Sequence, residues 1–146
     1  MNKKTDMTEL TMKAHLENEV RLLDFLTDEY KRHGIPVQSE VLVAVEEVFV
    51  NIVQYAYLPK EGDITLFILL DLDAGKTVVR FEDSGKPFNP LERDAPNLDT
   101  PLMEREIGGL GIHFVKNLMD TVEYEYTDNK NVLTITKAIT KGTAKE

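Results

Sequence analysis

Two polar side chains one helical turn apart, Glu47 and Asn51, stand inside an otherwise apolar run and are the first candidates for chemistry. At this spacing they share a helix face, with Tyr55 a further turn on and Glu46 and Gln54 beside them. A mid-helix asparagine has poor helix propensity and is costly to bury unless its amide is bonded. Its carbonyl oxygen suits Mg²⁺, an ion that takes few protein ligands and shares itself with substrate phosphates. A carboxylate one turn earlier can order a water on that ion or accept a hydroxyl proton. The same spacing is also met by a solvated helix face whose asparagine bonds a neighbouring strand.

Two glycine segments extend the pattern. Asp83-Ser84-Gly85 follows an apolar strand-like run, where the carboxylate can accept from an exocyclic amine and Gly85 permits a close approach that a side chain would obstruct. It also reads as an ordinary turn. Gly108-Gly109-Leu110-Gly111 ends a long polar stretch and opens a helix, so that bare backbone N–H groups and the helix N-terminus can cradle phosphate. No Gly-Lys-Ser/Thr follows, so it is no Walker A loop, and a hinge or a tight packing point is the alternative. Arg105 and His113 flank it, and Lys116 lies on the following helix. His15 and His33 are isolated and show no metal-like spacing.

The elements that must position these groups follow from periodicity. Thr8 to Ala14 reads as an edge strand. A helix then runs from Leu16, with an apolar stripe through Leu16, Val20, Leu23, Leu26 and Tyr30, and stops at His33-Gly34. A second helix is expected from Ser39 to Tyr57, with Val41, Val45, Val48, Ile52 and Ala56 facing the core and the polar residues mainly opposite. Ile64 to Leu70 and Lys76 to Phe81 form a hairpin about Asp73-Ala74-Gly75. A third helix follows Gly111, and Thr121 to Tyr126 and Val132 to Lys137 form a second hairpin about Asp128-Asn129. This order predicts an α/β two-layer sandwich, helices on one face of a mixed, mostly antiparallel sheet, in one domain over residues 1–146.

Composition narrows the classes. With 146 residues, 42% of them apolar, the chain can bury a core without staples, and with no cysteine it has no disulfide, thiolate metal site or cysteine nucleophile. A net charge of −9 argues against direct nucleic-acid binding. No secretory signal and no apolar run of about eighteen residues is present, which predicts a cytoplasmic protein without a membrane span.

In order and separation, VAVEEVFVNIVQYAY, FEDSGKPFNP and IGGLGIHFVK resemble the N box and the two glycine boxes of the GHKL (histidine-kinase-like) ATPase superfamily, with its Bergerat ATP-binding fold. The resemblance runs from about Thr8 to Lys137 and is best to the stand-alone anti-sigma-factor serine/threonine kinases. It implies ATP and Mg²⁺ as cofactors, Asn51 on the metal, Glu47 as catalytic carboxylate and Asp83 on the adenine amine. Gly85 would lie against the base, Gly108, Gly109, Leu110 and Gly111 over the phosphates with Arg105 nearby, and residues 88–107 would be the ATP lid. It further implies a homodimer, a small anti-anti-sigma protein as substrate and a sigma factor as the inhibited partner. A non-catalytic, nucleotide-regulated module that sequesters a sigma factor or other regulator is the alternative. Tyr55 stands where the family commonly has histidine, and Asn129-Lys130-Asn131 where Gly-Thr is often found.

Overall fold

The computed structural model describes residues 7–57, 62–92 and 111–139. Strand β1 (Thr8–Lys13) leads through a single 3₁₀ turn (Leu16–Asn18) into helix α1 (Glu19–Arg32), and α2 (Ser39–Asn51) follows. Next come the hairpin β2 (Asp63–Asp71) and β3 (Lys76–Asp83), a 3₁₀ turn (Pro90–Glu92), helix α3 (Gly111–Leu118), and the hairpin β4 (Thr121–Thr127) and β5 (Lys130–Ala138). The strands form one sheet in the order β1-β2-β3-β5-β4. Every described pairing is antiparallel, so the sheet has no parallel component among these residues.

Strict alternation sets the inner face. Ile64, Leu66, Ile68 and Leu70 on β2, Val79 and Phe81 on β3, and Leu133 and Ile135 on β5 are buried in one cluster with Leu22, Leu26, Val41, Val45, Val48, Phe49 and Val115 from the helices. Helices therefore cover one face of the sheet. The expected stripe of α2 is buried as read, whereas that of α1 holds only in its second half: Leu26 and Tyr30 are buried and Leu23 packs on the core, but Leu16 and Val20 are exposed and Leu22 and Glu29 face inward. Buried Glu29 is matched by the Arg32 guanidinium at 2.9 Å, and the helix ends at Gly34, whose φ of 73° is the left-handed conformation glycine adopts freely.

Asp128 and Asn129 turn the β4–β5 hairpin with φ of 54° and 64°, the left-handed pair expected of those residues. The larger departure lies at the end of α2. From Ile52 to Tyr57 the helix widens into π geometry, so the expected single α-helix to Tyr57 ends at Asn51. Beyond Asn51 each turn takes an extra residue, and Tyr55 no longer stacks one α-turn above Asn51.

Candidate nucleotide site

At one end of the sheet, adjacent inner-face positions of β3 and β5 carry a carboxylate and an amide in place of apolar side chains. Asp83 follows Val79 and Phe81, Asn131 precedes Leu133 and Ile135, and the two face each other across the ladder. Asp83 is the last residue of its strand, so the sheet fixes its direction, and its side chain also closes an Asx turn onto Gly85. Asn51 is the corresponding intrusion on α2. Only 2% exposed, it sits within the buried stripe and not on a wet face opposite it.

These three polar residues converge on one small cavity of about 20 Å³, lined by Val48, Asn51, Ala56, Phe81, Asp83 and Tyr124 among others. Its remaining described walls are mostly aliphatic or aromatic, and none is Lys or Arg. Mostly apolar walls with a few placed polar groups are the usual make-up of a small-molecule pocket.

The Asp83 carboxylate accepts two hydrogen bonds on Oδ1, from the Gly85 backbone N–H at 2.9 Å and from Asn131 Nδ2 at 2.9 Å. Burial pushes its pKa up from the ordinary carboxylate range, and the two donors oppose that shift. Asn131, which sequence reading noted only as a departure from a family pattern, is the hub of this corner. Nδ2 also donates to Lys86 O at 2.9 Å, while Oδ1 accepts from Phe88 N–H at 3.0 Å and from the Tyr124 hydroxyl. The signal that could have found it is the alternation of β5 carried one step further, from Ile135 and Leu133 to position 131.

The segment leaving β3 is pinned against the π-helical end of α2. Lys86 N–H donates to Ala56 O at 3.2 Å, and Phe88 stacks on Tyr55 with ring centroids 5.1 Å apart. A Cβ on Gly85 would lie 2.5 Å from Ala56 O and 2.8 Å from Ala56 Cβ. Close packing on Ala56 thus requires glycine at position 85 whether or not a ligand approaches it. Further along, Lys116 of α3 reaches Leu91 O at 3.4 Å.

Glu47 is half-buried one turn before Asn51, whose Nδ2 donates to Glu47 O at 2.9 Å. That bond orients the amide, nitrogen toward its own helix and oxygen away. Glu47 is not among the described residues lining the cavity. Its pKa is raised by burial and then by the neighbouring Glu46 charge. At the start of α1, Glu19 is pushed up to about 7, by burial, by a hydrogen bond and charge from Glu46, and by Glu47. The structure thus brings Asn51 and Asp83 to one cavity, with Glu47 one turn before Asn51 and outside the lining. Gly111 opens α3, and Arg105, Gly108, Gly109, Leu110 and residues 93–107 of the expected lid lie outside the described residues.

Among the described residues no group of three or more His, Cys, Asp or Glu could cage a metal ion, and no helix is long and apolar enough to cross a membrane.

An antiparallel sheet backed by helices, with a buried amide on a helix and a buried carboxylate at a strand end, defines the class. The model of the histidine kinase-like ATPase domain matches residues 12–137, and the chain belongs to that family. Several relatives are serine-protein kinases. The chain is 32% identical over 116 residues to serine-protein kinase RsbW of Listeria monocytogenes, covering 74% of this chain and 70% of that protein. To serine-protein kinase RsbW of Bacillus cereus it is 29% identical over 97 residues, covering 65% and 61% respectively, so the match spans less than two thirds of that relative. To serine/threonine-protein kinase BtrW of Bordetella bronchiseptica it is 23% identical over 136 residues, covering 93% and 95%.

Proposed function

We propose that the chain is an ATP-dependent protein serine kinase and anti-sigma factor, which transfers the γ-phosphoryl group of Mg-ATP to a serine of a small anti-anti-sigma partner. The observation that carries the reading is the convergence of Asn51 from α2 and Asp83 from β3 on one apolar cavity, within a chain of this family.

On this reading Asp83 accepts a hydrogen bond from the adenine amine, and the apolar walls take the ring. Asn51 offers its carbonyl oxygen to Mg²⁺, which supplies charge neutralisation at the phosphates. The backbone N–H groups of Gly108, Gly109, Leu110 and Gly111, with Arg105 nearby, surround the phosphates. Glu47 accepts the proton of the partner's serine hydroxyl as that oxygen bonds phosphorus and ADP departs. Its raised pKa suits a proton acceptor, since a carboxylate closer to neutrality drives the transfer better. Catalysis rests on positioning and charge stabilisation. Bound partner serine excludes the sigma factor, and a homodimer presents two such sites.

The deciding experiment is incubation with γ-labelled ATP and candidate anti-anti-sigma proteins, with mapping of the labelled residue. Glu47→Gln should retain Mg-ATP binding and lose transfer, and Asn51→Ala should lose the Mg²⁺-dependent part of binding. Transfer undiminished in Glu47→Gln removes Glu47 from its role. ATP binding without transfer to any partner establishes the non-catalytic, nucleotide-regulated binder instead.

A further inference from the structure

The Asn131 side chain has two N–H donors and a carbonyl oxygen with two lone pairs, and all four are engaged. Its orientation is not a free choice. Lys86 O can only accept and Phe88 N–H can only donate, so a flipped amide would place acceptor against acceptor and donor against donor. Asn131 therefore always presents N–H to Asp83.

That fixed donor determines what the carboxylate can offer. Oδ1 of Asp83 already takes Asn131 and the Gly85 N–H, and Oδ2 makes no hydrogen bond to the described residues. We infer that Asn131, seated by the Tyr124 hydroxyl, is the positioning residue that sets base selectivity: it holds Asp83 as a single rigid acceptor and so commits the cavity to a 6-amino purine over a 6-oxo purine. The inference rests on the nucleotide reading above.

A 6-oxo base brings its own acceptor to that oxygen and leaves a buried carboxylate unmatched, which is the costly outcome. Without the Asn131 donor only the Gly85 N–H holds Oδ1, and the buried carboxyl group takes a proton more readily. A protonated Asp83 can donate to a 6-oxo group, and discrimination collapses. Selectivity is thus assigned to a residue that need not touch the base.

The test is titration calorimetry of Mg-ATP and Mg-ITP, whose bases differ at C6, amino against oxo, and at N1, an acceptor in adenine and an N–H donor in hypoxanthine, against the wild-type chain, Asn131→Ala and Asn131→Asp. The aspartate variant keeps the side-chain volume and serves if the alanine variant does not fold. Wild type should favour ATP by about 100-fold or more, as expected where a site is built to pair with one donor. Both variants should narrow that ratio by about tenfold, and in Asn131→Asp the ratio should narrow further as pH falls and the two facing carboxylates share a proton. Tyr30→Phe, which removes a buried hydroxyl bonded to Thr77 and Gln38, serves as the stability control and should lower Tm without moving the ratio.

Equal weakening of both nucleotides means that Asn131 is structural only and overturns the inference, as does wild type binding ATP and ITP alike or a ratio that Tyr30→Phe moves equally. In those cases the ATP reading stands. A wild-type chain that binds no ATP overturns both.

Discussion

Gly85→Ala separates two reasons for a glycine at that position. The added Cβ would sit 2.5 Å from Ala56 O, 2.8 Å from Ala56 Cβ and 2.9 Å from Ala56 C. Two of these atoms are backbone, so no rotamer change relieves the contact, and the chain has to move by several tenths of an ångström. Overpacking of this kind costs about 1–3 kcal/mol. The movement also stretches the adjacent Lys86 N–H to Ala56 O bond, already 3.2 Å long, at a further cost of about 1 kcal/mol. A loss of about 2–4 kcal/mol corresponds to a fall in Tm of roughly 5–15 °C for a chain of this size. The assay is thermal unfolding followed by circular dichroism without nucleotide. Gly75→Ala is the reference: with φ of 71° and no atom within 4 Å of the added Cβ, it carries only left-handed strain, about 1–2 kcal/mol. If Gly85→Ala unfolds within about 2 °C of wild type yet binds Mg-ATP weakly, the packing argument is wrong and glycine is there for the ligand alone.

Three further outcomes are expected. Tyr55→Ala removes the stacking partner of Phe88 and should lower stability by about 2–4 kcal/mol, a loss that Tyr55→Phe largely restores; an equal loss in both variants would place the effect on the hydroxyl and refute the stacking account. Because the folded-state pKa of Glu19 is raised from 4.5 to about 7, the folded chain keeps a proton that the unfolded chain has lost, so stability should fall as pH rises through that window; Glu46→Gln should flatten the fall and raise Tm at pH 8 by about 1 °C, and parallel unfolding curves for the two proteins would refute this. On the proposed kinase reading transfer requires ionised Glu47, whose pKa is raised by burial and by Glu46, so the rate should rise with pH and Glu46→Gln should shift that rise to lower pH; an unmoved profile removes Glu46 from the electrostatics of the base.

The sequence carried most of the sheet because the inner-face residues of β2, β3 and β5 are mostly large and apolar, a pattern that admits only one orientation of each strand. It also carried both turns whose residues tolerate left-handed backbone, at Gly34 and at Asp128-Asn129. The inward face at the start of α1 was not legible. Leu16 and Val20 match a 3.6-residue period as well as Leu22 does, and only packing on the sheet chooses between the two faces. Nor was the π-helical end of α2, since Ile52 to Tyr57 continues the apolar pattern without Gly or Pro to mark a change. Of the site, Asn51 and Asp83 could be picked out as single residues. The inward position of Asn131 was legible in the alternation of β5, but its partnership with Asp83 was not, because it rests on a pairing between strands roughly fifty positions apart that no local spacing encodes.

A single physical demand explains why the cavity looks as it does in a chain of net charge −9. On the proposed reading mostly apolar walls that hold one carboxylate suit an uncharged heterocycle, and that carboxylate is tolerable because Asn131 and the Gly85 N–H satisfy one of its oxygens. A triphosphate cannot be held by the same walls, where no described lining residue is cationic. On the proposed reading its charge falls to the metal at Asn51 and to the donors at Arg105 and Gly108 to Gly111. On that reading base recognition is a property of the sheet ends, and phosphate recognition belongs to the residues that precede and open α3. The residues that join them, Tyr55, Phe88 and Ala56, form the seam where the end of α2 meets the start of that segment.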